Sequence, residues 1–153
     1  MAVTDYPLVI AQFDHQGHPR RTEHWSLVAM QGGGGNAHVF EIAGNRSNFN
    51  YNPHHTQCFG RDQDMRGGCQ VGTIPATSIA WMKERLRTVE IVYNDVNFDC
   101  QDWVLNVLRI RQAEGVTITL TAEDKIREEM AAEKVRWDFG DDTVEDRLFA
   151  SSS

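Results

Sequence analysis

The first half of the chain contains apolar runs with the residue types of β-strands, and the second of them alternates between two faces. Three runs, 6–13, 23–30 and 38–43, are rich in β-favouring residues and are separated by segments that contain glycine or proline. The four glycines at 32–35 predict a hairpin between the second run and the third. The next segment, 45–72, is dense in Asn, Gly, His and Arg without periodicity, and we predict a long loop there.

The second half predicts helices with short strands between them. The strongest pattern lies in 99–113, where Trp103, Val104, Val107 and Leu108 recur at the spacing of a buried helix face. Strands first and helices later predict an α+β fold, with an antiparallel sheet packed against helices. The other predicted elements are a helix from Thr77 or Ser78 to about Arg87, strands over 88–93 and 116–120, and a helix from Thr121 to about Val135.

Composition and charge indicate the number of domains and the class of protein, and they agree with the predicted α+β fold. A chain of 153 residues that is 41% hydrophobic predicts one domain, which we place at 1–140, followed by an acidic tail at 141–153. No apolar run of about 18 residues and no signal-peptide pattern is present, so we expect a cytoplasmic protein without integral membrane association. Twenty-two acidic residues against fifteen basic ones give a net charge of -7, which argues against a nucleic-acid partner.

Cys100 is the candidate nucleophile among three cysteines. Three are too few for a disulfide scaffold, and an odd number leaves at least one thiol unpaired. Cys58 and Cys69 fall in the predicted loop, whereas Cys100 falls at the start of the amphipathic helix. The first N–H groups of a helix have no intrahelical partner and the helix dipole favours negative charge there, so a thiolate is stabilised at that position.

The predicted loop carries a second group of chemically capable side chains. His54, His55, Cys58 and Cys69 are of the types that bind zinc, but the histidines are adjacent and no Cys-x-x-Cys pair is present. We therefore predict no metal and no cofactor. We expect Cys58 and Cys69 to be separate thiols. The alternative is that they form a disulfide, if the protein is exported.

His24 is the candidate base for Cys100. In the strand 23–30, alternation places Trp25, Leu27 and Ala29 on one face and His24 with Ser26 on the other. If the apolar faces of this strand and the next align, Glu41 shares the face of His24 and can orient its imidazole. His38 is the alternative orienter, because a slip of one residue in the glycine turn exchanges the two candidates.

These residues resemble a known arrangement. A His-Trp strand, a glycine turn, a second strand and, much later, a Cys that opens a helix resemble the permuted papain-like fold. That group includes the lecithin:retinol acyltransferase-like enzymes and the PPPDE isopeptidases, and it is related to the NlpC-type peptidases. In the resemblance His24 matches the base, Cys100 the nucleophile and Glu41 the third polar residue, while Gln101 and Trp103 match the positions after the cysteine.

The resemblance covers about half of the chain, roughly 23–43 and 97–108, and small uncharacterised fungal proteins of this type look most similar. Asp99 stands where the acyltransferases usually have Asn. The family implies a cysteine-dependent hydrolase or acyltransferase that forms a thioester with a peptide, isopeptide or acyl ester substrate. Gln101 and the backbone N–H of Cys100 are the candidate hydrogen-bond donors to an oxyanion. The alternative is that Gln101 is only a solvated polar residue at the start of the helix. The alternative function is a non-catalytic binding or effector-like module with the same fold.

Overall fold

The computed structural model describes residues 5–14, 23–31, 36–44, 49–57, 65–93, 95, 98, 100–113, 117–119 and 122–138. Within them the chain is mixed α+β, as the sequence predicts. The predicted tail at 141–153 lies outside the described residues. The described elements are β1 (Asp5–Asp14), β2 (Glu23–Met30), β3 (Ala37–Phe40), β4 (Ile42–Ala43), β5 (Asn50–Tyr51), β6 (His54–Thr56), β7 (Met65–Pro75), α1 (Ile79–Arg85), α2 (Cys100–Ala113), β8 (Thr117–Ile118) and α3 (Glu123–Asp138).

Six of the strands form one antiparallel sheet in the order β6-β3-β2-β1-β7-β8, and β4 pairs with β5 separately. The predicted hairpin between β2 and β3 is confirmed, with Leu27 opposite Phe40 and Val28 opposite Val39. The strand predicted over 38–43 is instead interrupted at Glu41, which lies between β3 and β4. Beyond that residue the chain turns from the large sheet to the two-stranded one.

The prediction of a loop over 45–72 is wrong, because most of β7 lies inside it and pairs with β1 along much of its length. Glycines hide this strand from pattern analysis, since they add no apolar periodicity and have a low β-propensity. Close packing requires them here. A Cβ on Gly68 would lie 2.2 Å from the carbonyl oxygen of Ile10, and Gly67 has a φ of +84°, which favours glycine.

Gly68→Ala should destabilise the protein by about 3 kcal/mol, because the added methyl group meets backbone that cannot rotate away. The measurement is the free energy of unfolding by urea titration followed by circular dichroism. Gln70→Ala is the matched control, since Gln70 is exposed on the same strand. An equal effect of the two substitutions would contradict the close approach of β7 to β1.

The predicted strand over 88–93 is also wrong. A 3-10 turn at Leu86–Thr88 is followed by backbone without regular structure, and Tyr93 is half exposed. A strand needs a neighbour that supplies its hydrogen bonds, and the place beside β7 is taken by β8. Val89 is buried, so the apolar pattern of this segment reports a contact with the core.

The helices lie where the sequence predicts them and cover one face of the large sheet. Helix α2 packs against β2 and α3 against β7. The four positions predicted for the buried face of α2 are fully buried, Trp103, Val104, Val107 and Leu108. A buried amide of β1 links α3 to the sheet, since Gln12 Nε2 donates to the carbonyl of Met130 at 2.6 Å.

The two faces of the sheet bury separate apolar clusters. Leu27 and Phe40 belong to the large cluster that includes the helices, whereas Val28 and Val39 belong to a smaller cluster on the other face. This division follows the period-two alternation of strands, so it fixes which side chains of β2 share a face. No described helix is long and apolar enough to span a bilayer.

Candidate active site

The candidate base and its partner carboxylate lie on adjacent strands. His24 is the second residue of β2, and Glu41 follows β3 directly. The register that pairs Leu27 with Phe40 places Ser26 opposite Glu41 one step further on. His24 Nε2 donates to Glu41 Oε1 at 2.8 Å, and both side chains are partly buried. The structure therefore brings together His24 and Glu41, as their shared face predicts.

Ser26, a buried residue of β2, also contacts the carboxylate of Glu41. Its side chain is fully buried, its Oγ donates to Glu41 Oε1 at 2.5 Å, and the same Oγ lies 3.3 Å from His24 Nε2. A short hydrogen bond to an ionised acceptor is among the stronger kinds in proteins. Ser26 thus holds the carboxylate oxygen that contacts the imidazole, and it fixes the direction from which Glu41 approaches.

Cys100 is the first residue of α2 and lies against the imidazole of His24. The two side chains are hydrogen-bonded to each other, and Cys100 as a residue is 6% exposed. Because Nε2 of the ring already faces Glu41, Nδ1 is the nitrogen that can serve the thiol. The imidazole of His24 therefore contacts both a thiol and a carboxylate, and the thiol belongs to the first residue of a helix.

The surroundings of His24 favour the charged imidazolium. Burial alone lowers the pKa of a histidine, but here the hydrogen bonds and charges of Cys100 and Glu41 outweigh burial and raise the pKa of His24 to about 10. The ring is therefore protonated at neutral pH.

Glu41 has the complementary shift. Burial acts to raise the pKa of its carboxyl group, but hydrogen bonds from His24 and Ser26, with the charges of His24 and His54, lower the pKa below its usual value. A carboxylate that stays ionised can hold the imidazolium in place at any pH near neutrality.

Gln101 is buried at 2% exposure directly after the cysteine. Arg127 of α3 donates from Nη1 to Gln101 Oε1 at 2.5 Å, and its guanidinium lies over the Trp25 ring at 4.9 Å from the centroid. An arginine can only donate, so the oxygen of the amide must face it and the amide N–H groups face elsewhere. Gln101 is therefore held in one orientation, beside the first turn of α2.

His38 is placed away from His24. It pairs with Ala29 across the sheet, so it shares the face of Phe40, as the alternation predicts. Its ring stacks on Tyr6 with centroids 6.3 Å apart and lies 4.8 Å from the ring of His55. Among the described contacts, the carboxylate of Glu41 and not the imidazole of His38 lies against His24.

Cys69 lies apart from His54 and His55, the described histidines that were considered with it for metal binding. Cys69 is buried in the middle of β7, while His54 and His55 lie on the edge strand β6. Cys58 lies outside the described residues, as does Asp99. Within the described part of the chain no three His, Cys, Asp or Glu side chains are grouped as metal ligands.

Sequence reasoning missed Ser26 and Arg127 as parts of this site. The signal for Ser26 was present, because alternation puts it on the face of His24, and a polar residue between apolar neighbours on a buried strand needs a partner. Arg127 gave no such signal. It lies on a helix with several charged residues, and only the packing of α3 brings it to Gln101.

No family model, no curated protein and no solved structure matches this chain.

Proposed function

We propose that the protein is a cysteine-dependent hydrolase or acyltransferase that works through a thioester intermediate. The observation that carries the proposal is the contact of the His24 imidazole with both Cys100 and Glu41. Hydrogen bonds to these two side chains accompany a His24 pKa that is raised to about 10. A thiol, a base and a group that orients the base are the minimum set for nucleophilic catalysis by cysteine. The permuted papain-like fold belongs to the same proposal.

The proposed reaction has two steps. In the first, the thiolate of Cys100 attacks the acyl carbon, a C–S bond forms, and the imidazolium of His24 gives its proton to the departing amine or alcohol. In the second, His24 takes a proton from water or from an acceptor alcohol or amine, which attacks the thioester and releases the thiolate. Water yields hydrolysis and another acceptor yields acyl transfer.

Glu41 and Gln101 support these steps in different ways. Glu41 holds the imidazole by Nε2, so that Nδ1 serves the sulfur. Gln101, fixed by Arg127, and the backbone N–H of Cys100 are the proposed donors to the oxyanion that forms during attack. The proposed substrate is a peptide, a protein or a small molecule that carries an acyl ester, and the reaction needs no cofactor.

Mass spectrometry of the acyl-enzyme tests the proposal. Exposure of the whole protein to p-nitrophenyl acetate should add one acetyl group to Cys100 and release one nitrophenolate in a burst, because the activated ester gives a good leaving group. Cys100→Ala should lose the burst, with a fall of about a thousandfold or more in the acylation rate. The measurements are the burst amplitude and the modified peptide.

Cys69→Ala is the control for this experiment, because Cys69 is as little exposed as Cys100, at 6%. It should leave the burst unchanged. Acetylation distributed over several nucleophiles, or a burst that survives in Cys100→Ala, would contradict the proposal.

The competing function is a binding or effector-like module that keeps this fold without catalysis. The low exposure of the Cys100 side chain favours it, since a nucleophile must meet its substrate. A folded protein in which Cys100 accepts no acyl group from activated esters or thioesters, while Cys100→Ala changes only stability, would support this function in place of the catalytic one.

A further inference from the structure

A concave site lies close to Glu41 of the candidate active site, since its lining residue His54 has Nδ1 4.0 Å from Glu41 Oε2. It is a groove of about 450 Å³ between β1, β3, β6 and α1. Three histidines, His38, His54 and His55, and the ammonium group of Lys83 line it together with apolar residues such as Phe40 and Ile79. None of the described residues that line the groove is acidic, although the chain as a whole has a net charge of -7 and Glu41 contacts His54 at its edge.

Such a lining suits an anion. Lys83 supplies a permanent positive charge at neutral pH, and imidazoles donate hydrogen bonds and become cations when they are protonated. The rings of His38 and His55 are 4.8 Å apart, so two imidazoles meet at one place in the groove. Apolar walls around a few convergent polar groups are typical of small-molecule sites.

Contacts through Glu41 connect this groove to the candidate active site. Glu41 Oε1 faces His24, whereas Oε2 lies 4.0 Å from His54 Nδ1. The backbone supports the same link, since Asn52 N–H donates to the carbonyl of Glu41 and His54 Nδ1–H donates to the carbonyl of Asn52. The carboxylate of Glu41 therefore lies between the imidazole of His24 in the candidate active site and the imidazole of His54 in the groove.

We propose that the groove is an anion-binding subsite that receives a carboxylate or phosphate group of the substrate while its acyl carbon lies at Cys100. This inference rests on the proposed function and specifies its substrate class, an acyl compound or peptide with a negatively charged group near the bond that is attacked. The shared chemistry is an oxyanion bound by Lys83 and the imidazoles of His38 and His55.

Binding of the anion is expected to take up a proton. The groups that face His38 are Tyr6 from β1, His55 from β6 and Lys83 from α1. Burial, with the charges of His55 and Lys83, lowers the pKa of His38, so its ring is neutral at pH 7 before the anion arrives. An anion favours the protonated ring, and affinity should therefore rise as pH falls, by up to about tenfold per pH unit for each proton taken up.

The first test measures binding without catalysis. Succinate and inorganic phosphate are titrated separately into the whole protein while the histidine ring signals are followed by proton–carbon NMR at pH 6 and pH 8. We expect saturable shifts of the His38 and His55 signals, with a dissociation constant on the order of 1 mM at pH 6 and weaker binding at pH 8. Stronger binding of succinate points to a carboxylate, and stronger binding of phosphate to a phosphate ester.

Two lysine variants decide whether the binding belongs to the groove. Lys83→Gln should weaken binding at least about fivefold through loss of its charge. Lys125→Gln is the matched control, since Lys125 is exposed on α3 outside the groove lining, and it should bind like the wild type. Equal affinity in the two variants, or no saturable shift, would overturn the subsite.

A second arm separates this inference from the proposed function. The rate of Cys100 acylation by the mono-p-nitrophenyl ester of succinate is compared with that by the butyrate ester, in the wild type and in Lys83→Gln. A preference for the succinyl ester that Lys83→Gln abolishes supports the subsite. Equal rates with a normal burst overturn the subsite alone, whereas anion binding without any acylation overturns the catalytic function alone.

Discussion

Iodoacetamide should alkylate Cys100 at pH 6 about a hundredfold faster than Cys69, because only a thiolate reacts and an ordinary thiol is almost entirely protonated at that pH. The two residues are equally exposed at 6%, so overall burial does not by itself predict a difference in rate. His24→Ala should remove most of the advantage, since it removes the protonated imidazole that is hydrogen-bonded to Cys100. The measurement is the rate of modification of each peptide by mass spectrometry.

A Cys58→Ser background removes the third thiol from this comparison, and the native fold of each variant is checked by its unfolding curve. Equal and slow labelling of Cys69 and Cys100 would contradict the catalytic proposal. Retention of the full rate in His24→Ala would instead assign any reactivity of Cys100 to the helix N-terminus alone.

Glu41→Gln is expected to lower the pKa of His24 from about 10 to roughly 8 or 9, since it replaces an anion by a neutral amide of the same shape. Ser26→Ala is the milder substitution for comparison. It leaves the carboxylate in place and removes one hydrogen bond to it, so it should change the pKa of His24 less. The measurement is the titration of the His24 ring carbon by NMR.

The same pair gives the protein a pH-dependent stability. His24 has a raised pKa, so its contribution is complete below its unfolded value near 6.5 and is lost as pH rises through about 10. Glu41 has a lowered pKa, so its contribution is present above its unfolded value near 4.5 and is lost as pH falls further. The excess stability of the wild type over Glu41→Gln should therefore be greatest near neutral pH and should shrink towards both extremes. A difference that is constant from pH 4 to pH 11 would contradict the ion pair.

Local patterns of the sequence predict a good part of the candidate site. Alternation along β2 separates His24 and Ser26 from Trp25 and Leu27, and the hairpin register then follows from burial of the apolar face. The same reasoning puts Glu41 with His24 and leaves His38 on the other face. The helical spacing of Trp103 places Cys100 at the first turn of α2, within a residue.

Local patterns of the sequence did not predict two other parts of the fold correctly. Strand β7 is rich in glycine because it packs closely against the backbone of β1, and that requirement comes from a distant segment. The segment after Leu86 is apolar enough for a strand, but in the described part of the chain β8 occupies the place beside β7, and Val89 packs into the core instead. In both places contacts with remote residues override local propensity.

The sequence by itself determined which faces His24, Glu41 and Cys100 occupy, because strand and helix periods are set by the backbone and by neighbours a few residues away. Only the tertiary structure decided that the Cys100 thiol meets the His24 ring, that Ser26 and Arg127 hold their partners, and that His38, His55 and Lys83 share one groove. These contacts join segments far apart in the chain. The packing of helices on the sheet determines them, and no local pattern carries that information.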